Sequence, residues 1–181
     1  TDVAFSDDGL TVFTSNLTPA KLGNNEISQN RLDTPFDLRS DRVDFNPNAT
    51  CDDLDGLAIF TVSGGALTTR AQSIDVVNNG KIFFVLDNDS RLGKFNAVNP
   101  NDVDGIVYET LIDFDLIGLN DDQIKDVAFS RDGTKLYTLT NQSGTDAKAR
   151  QLTTFSLPGP FDISSVTQID QVDFFDLDVP D

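Results

Sequence analysis

The sequence predicts an all-β chain built from antiparallel hairpin repeats, and three observations carry that reading. Of its 30 acidic residues all but Glu26 and Glu109 are aspartate, against 13 Lys and Arg. Aspartate is poor inside helices and good in turns, because its short carboxylate accepts from nearby backbone N–H groups. The motif Asp2-Val-Ala-Phe-Ser-Asp-Asp-Gly9 recurs 124 residues later as Asp126-Val-Ala-Phe-Ser-Arg-Asp-Gly133. After each glycine, apolar and polar residues alternate, as in Lys135-Leu-Tyr-Thr-Leu-Thr140, which is the strand period.

The first element is a hairpin, with strands centred near Val3 and Val12 around Ser6-Asp-Asp-Gly9. Asp followed by Gly favours a tight hairpin because both central turn residues tolerate positive φ. A proline corner follows, Leu32-Asp-Thr-Pro-Phe-Asp-Leu38, and later Val43-Asp-Phe45. Residues 57–66 read as an inserted hairpin, with a strand near Leu57. A weaker middle copy is Ile74-Asp-Val-Val-Asn-Asn-Gly80, running into a strand centred near Phe83. The last copy places strands near Val127, Leu136 and Thr154. Its corner is Leu157-Pro-Gly-Pro-Phe-Asp-Ile163, where proline stops sheet pairing, and residues 166–172 supply a fourth strand.

Four short strands per copy outline a propeller blade. The chain reads as one β-repeat domain, with copies at about residues 1–50, 51–124 and 125–181. Gly9 to Gly80 is 71 residues and Gly80 to Gly133 is 53. Both exceed a blade of roughly 40–50 residues, so loops are inserted. Three copies fall short of the ~4–8 blades of a closed ring. Three explanations stay open: a second copy that completes the ring, a chain that is a piece of something longer, or a middle region that holds two small blades. An open stack would leave bare strand edges, which natural proteins avoid.

The pattern Asp-Val-Ala-Phe-Ser-x-Asp-Gly-x-x-x-Tyr, with its Leu-x-x-Pro-Phe-Asp-Ile-Ser corner, resembles the blade signature of YVTN-type and related bacterial β-propellers. It is similar to repeats of marine bacterial surface proteins and of phage virion structural proteins. The resemblance covers the first and last thirds well and the middle loosely. It implies antiparallel propeller-like blades and an extracellular, cell-surface or virion setting. It implies no particular activity, since propellers host unrelated roles.

Composition removes several function classes. The chain has no His, so no His-based triad or His metal site exists in it. Cys51 is the single cysteine, which excludes an internal disulfide and a Cys cluster. A net charge of −17 argues against a nucleic-acid partner. No apolar run approaches the ~20 residues of a membrane span, so no membrane insertion is expected. The chain starts at Thr1 and lacks Met, which reads as a processed or excised chain. The Asp-rich, nearly Cys-free composition suits an extracellular protein. Four Asn-x-Ser/Thr triplets, at Asn16, Asn48, Asn88 and Asn141, carry little weight in so Asn-rich a chain.

The candidate metal ligands are Asp53 and Asp55 before Gly56, and Asp102 and Asp104 before Gly105. Each pair matches the later half of a Ca²⁺ loop. Position 1 would be Cys51 or Pro100, so the loop motif is incomplete and plain Asp-rich turns compete with it. Asp87-Asn-Asp89-Ser and Asn120-Asp-Asp122 are similar oxygen clusters. Ser6 and Ser130 lack a histidine base and read as turn residues rather than nucleophiles. Phe5, Phe36, Phe45, Phe129, Phe161 and Phe174 recur at equivalent places and are expected to form the repeated core. Asp37 and Asp162 are expected to cap their corners. The acidic stretches 101–124 and 169–181, free of Lys and Arg, read as solvated faces.

The functional expectation is a non-enzymatic module of an extracellular or virion-surface assembly. Its rigid face would meet other copies, other subunits or glycans. The alternatives are a lactonase-like propeller hydrolase with a carboxylate or Ca²⁺ site, and a carbohydrate-binding module.

Overall fold

The repeated hairpins form three antiparallel sheets, each a simple meander. The computed structural model describes residues 2–16, 26–37, 63–67, 71–103, 106–117, 124–141 and 150–173. Sheet one contains β1 (Asp2–Phe5), β2 (Thr11–Asn16) and β3 (Glu26–Arg31), in that order. Sheet two contains β4 (Ala71–Val77), β5 (Ile82–Asp87), β6 (Arg91–Asn96) and β7 (Val107–Asp113). Sheet three contains β8 (Ile124–Phe129), β9 (Lys135–Asn141), β10 (Arg150–Ser156) and β11 (Thr167–Asp173). A 3-10 turn at Asp115–Ile117 is the one helical element among the described residues.

The strands expected near Val3, Val12, Phe83, Val127, Leu136 and Thr154 are β1, β2, β5, β8, β9 and β10, and residues 166–172 lie largely in β11. The strand expected near Leu57 and the segment Val43-Asp-Phe45 lie outside the described residues. Register repeats along with sequence. A bulge interrupts β4 between Ala71 and Ser73 and β8 between Ile124 and Asp126, at equivalent positions. A second pair of bulges falls at Glu109 on β7, opposite Lys94 and Phe95, and at the equivalent Ile169 on β11, opposite Thr154 and Phe155.

The Asp-Gly turns differ from the tight form expected. In the first copy four residues separate Ser6 from Thr11, and Gly9 (φ 69°), not Asp8, is left-handed. The Gly9 N–H donates to Ser6 O at 2.8 Å, and the Thr11 N–H to Ser6 Oγ at 2.9 Å. Ser6 Oγ donates to Asp8 Oδ1 at 2.6 Å, and the same carboxylate oxygen takes the Leu10 N–H at 3.0 Å. Ser130 and Asp132 repeat this arrangement before Gly133 (φ 70°). The middle copy has Val77 where the others have serine. There Asn78, Asn79 and Gly80 all adopt positive φ, which asparagine tolerates better than most residues.

The corner closes onto this turn. The N–H groups of Phe36, Asn101 and Phe161 donate to the carbonyls of Gly9, Gly80 and Gly133 at 2.9, 2.9 and 2.8 Å. All three donors are left-handed, at φ 59°, 58° and 57°. A Cβ on Gly133 would stand 2.7 Å from the Phe161 ring. The Asp-Gly and Pro-Phe-Asp motifs are thus two sides of one contact.

Sheet two is buried on both faces, and all six residues of β5 are buried. Phe83 and Val85 face a core shared with sheet one, where Phe83 meets Phe13 edge-on at 5.2 Å. Ile82, Phe84 and Leu86 face a core shared with sheet three, where Phe84 stacks on Phe129 at 3.9 Å. The deepest phenylalanines are Phe13, Phe83, Phe84, Phe95, Phe114 and Phe155. This corrects in part the expectation that the recurring phenylalanines form the core: Phe129 and Phe161 pack against the second core from its edge, but none of the described ones is fully buried. Phe36 is 61% exposed, Phe5, Phe129 and Phe161 are half-buried, and Phe45 and Phe174 lie outside the described residues. They recur because they sit at turn ends and over glycines, where the backbone repeats most closely.

Candidate functional site

The first strands of the three sheets lie side by side, with β4 against both β1 and β8. Asp2, Ser73 and Asp126 occupy the same repeat position, seven residues before Gly9, Gly80 and Gly133. Ser73 is fully buried. Its Oγ lies 2.8 Å from Asp2 Oδ2 and 2.7 Å from Asp126 Oδ1, sharing one hydroxyl proton between two carboxylates. The Ile74 N–H adds a bond to Asp2 Oδ2 at 3.0 Å. Asp75 accepts the Phe129 N–H at 3.1 Å and ties sheet two to sheet three. Burial pushes the Asp75 carboxyl up to about 6, the Phe129 and Val76 N–H groups oppose the rise, and the nearby Asp126 and Asp2 charges add to it.

Above this seam opens a cleft of about 730 Å³. Sheet one contributes Phe5 and Asp7, sheet two Asp75, Asn78 and Asn79, and sheet three Phe129, Arg131 and the corner Phe161. Phe5, Val76 and Phe129 are equivalent positions in the three copies, as are Asp7, Asn78 and Arg131. The Asn79 N–H donates to Asp7 Oδ2 at 3.0 Å across the first two copies. The cleft therefore offers half-buried aromatic surface beside two carboxyls, two amides and a guanidinium.

No protein-family model matches the chain, and no curated protein matches it.

Of the residues expected to bind metal, only Asp102 is described; Asp53, Asp55 and Asp104 lie outside the described residues. Asp102 sits at the middle copy's corner, following left-handed Asn101 as Asp162 follows Phe161. Its Oδ2 accepts from Asn99 Nδ2 at 3.2 Å. Among the described residues no three of His, Cys, Asp or Glu converge as a metal group. Asp87 holds its own turn, accepting the N–H groups of Asp89 and Arg91 at 3.0 and 2.9 Å. Asp162 caps its corner as expected, taking the Ser164 N–H at 2.9 Å, and the Ser164 hydrogen bonds hold its carboxyl below the usual range. Ser6 and Ser130 are committed to their loops. The acidic stretch after residue 101 is not simply solvated. Glu109 pairs with the buried Lys94 at 3.0 Å and Asp113 with Arg91 at 3.7 Å, across adjacent strands.

Sequence reasoning passed over Ser73 and Asp75. The signal for Ser73 was present, since counting back from Gly80 sets it opposite Asp2 and Asp126. Nothing in the repeat marks Asp75, because its counterparts Ala4 and Ala128 are apolar.

Proposed function

We propose that this chain is a non-enzymatic interaction module of propeller-like blades, working in an extracellular or virion-surface assembly. The observation that carries the reading is the stacking itself. Three meanders pack face to face in chain order through two apolar cores, with their first strands joined by one polar seam. Such a stack is a rigid frame, and its outer faces and turn-end cleft are the surfaces left for partners. Other copies or other subunits are the expected partners, with glycans a further class suited to the aromatic and amide lining of the cleft. An acidic chain repels itself at low ionic strength, so self-association should strengthen with salt.

Sedimentation velocity across a wide protein concentration range, at low and high salt, tests the reading. A mass above the monomer that grows with concentration and salt supports it, and a monomer under every condition removes it. A second reading, a propeller-type hydrolase, draws on Asp75, a carboxyl tuned upward by burial in a cleft, as general acids are. Ester or lactone turnover abolished by Asp75→Asn would favour that reading instead.

A further inference from the structure

We infer that the outer face of sheet three is an inter-sheet interface that receives sheet one of a second copy, head to tail; this rests on the assembly reading above. The face of sheet two that packs on sheet three is built on the cross-strand row Leu86–Leu92–Ile112, with Phe84 beside it. In the repeat, these positions become Leu139, Leu152, Val172 and Tyr137 in sheet three. There they form the same row, Leu139–Leu152–Val172, across β9, β10 and β11. The apolar character is kept, while among the described residues no sheet covers it. Leu139, Leu152 and Tyr137 are half-buried, Val172 is 39% exposed, and no other described sheet lies on them. Phe13 makes the same point one copy earlier, since Phe13, Phe84 and Tyr137 are equivalent and the first two are sealed against the following sheet.

The repeat also identifies the occupant. Sheet three meets sheet two through Val127 and Leu136, and sheet two meets sheet one through the equivalent Ile74 and Phe83. The corresponding residues of sheet one are Val3 and Val12. Both lie on the face away from sheet two, where Val3 is 50% exposed and Val12 is already buried within the single chain, so Val3 marks the open part of that face. The face that fits the third sheet is therefore already present in the chain, at its other end. It must come from another molecule, because sheet two stands between sheets one and three. The contact is heterologous: one copy's third sheet against another's first.

Four proteins test this by sedimentation at high salt: wild type, Val3→Asp, Val172→Asp, and Leu116→Asp as a charge control on a side chain 83% exposed, on the 3-10 turn after β7 and in neither sheet one nor sheet three. Wild type and Leu116→Asp should associate alike. Val3→Asp and Val172→Asp should each weaken association at least tenfold, with unfolding curves close to wild type. An equimolar mixture of these two should recover a dimer, because the Val3→Asp chain keeps an intact third-sheet face and the Val172→Asp chain an intact first-sheet face. Wild-type association in either face variant would overturn the inference while sparing the assembly reading. So would a mixture that stays monomeric, or equal weakening by Leu116→Asp. A monomeric wild type at every concentration would remove both.

Discussion

Replacing Gly133 with alanine probes the contact between turn and corner that defines each repeat. Two costs add at this position. Gly133 is at φ 70°, where an L-residue pays about 1–2 kcal/mol. Its new Cβ would also stand 2.7 Å from two carbons of the Phe161 ring. That ring is held by the bond from the Phe161 N–H to Gly133 O at 2.8 Å, so it must tilt away, an overpacking cost of about 1–3 kcal/mol. Gly64 separates the two costs: its φ is 63° and nothing lies within 4 Å of the Cβ it would gain. Gly64→Ala should then lose about 1 kcal/mol from backbone strain alone, and Gly133→Ala about 3 kcal/mol. Urea unfolding at constant m reads both. In a double-mutant cycle, Phe161→Ala should relieve at least about 1 kcal/mol of the Gly133→Ala penalty. Equal losses at the two glycines, or strict additivity with Phe161→Ala, would refute the lock between turn and corner.

Asp75 should make stability fall as pH rises. Its carboxyl holds a proton up to about 6 when folded, against an ordinary 3.8, so the folded state gains as pH drops from about 6 to about 4. Two units correspond to about 3 kcal/mol; Asp75→Asn should abolish this part of the slope and be the more stable protein at pH 8, and parallel pH profiles in urea unfolding would contradict it. Ser6→Ala should cost about 2 kcal/mol and Ser130→Ala about 1, because the two make the same turn bonds but Ser6 is 1% exposed and its loop groups are left dry; thermal unfolding of the pair checks the order. Phe84→Ala, at the buried stack with Phe129, should cost about 3–5 kcal/mol by the same assay.

The sequence made much of this architecture legible, and the reasons are local. Hairpins announce themselves through Asp-Gly and Asn-Gly, and β5 through its run Ile-Phe-Phe-Val-Leu. By contrast β6, Arg-Leu-Gly-Lys-Phe-Asn, hides its strand behind Gly93 and the buried Lys94, whose partner Glu109 lies on β7. The middle corner was obscured because Asn101 replaces phenylalanine at the left-handed position while keeping the same backbone bond to the turn. Asp102 was drawn into a calcium pattern for that reason; aligned on Asn101 it is a corner aspartate. The recurring phenylalanines misled in the opposite direction. Recurrence marks the positions where backbone geometry repeats, whereas the sealed positions between sheets take different side chains from copy to copy, such as Phe83 in sheet two and Leu136 in sheet three. The seam is a tertiary product, because it depends on three first strands meeting, and only the position of Ser73 within the repeat hints at it.

The most direct test of the stacked-sheet account is an assigned aromatic NOESY spectrum of the full chain. The account predicts cross-peaks between the Phe13 and Phe83 rings, 5.2 Å apart across sheets one and two, and between Phe84 and Phe129, 3.9 Å apart across sheets two and three. Strand-pairing NOEs within each sheet without either ring contact would mean that the sheets fold as separate units, and would contradict it.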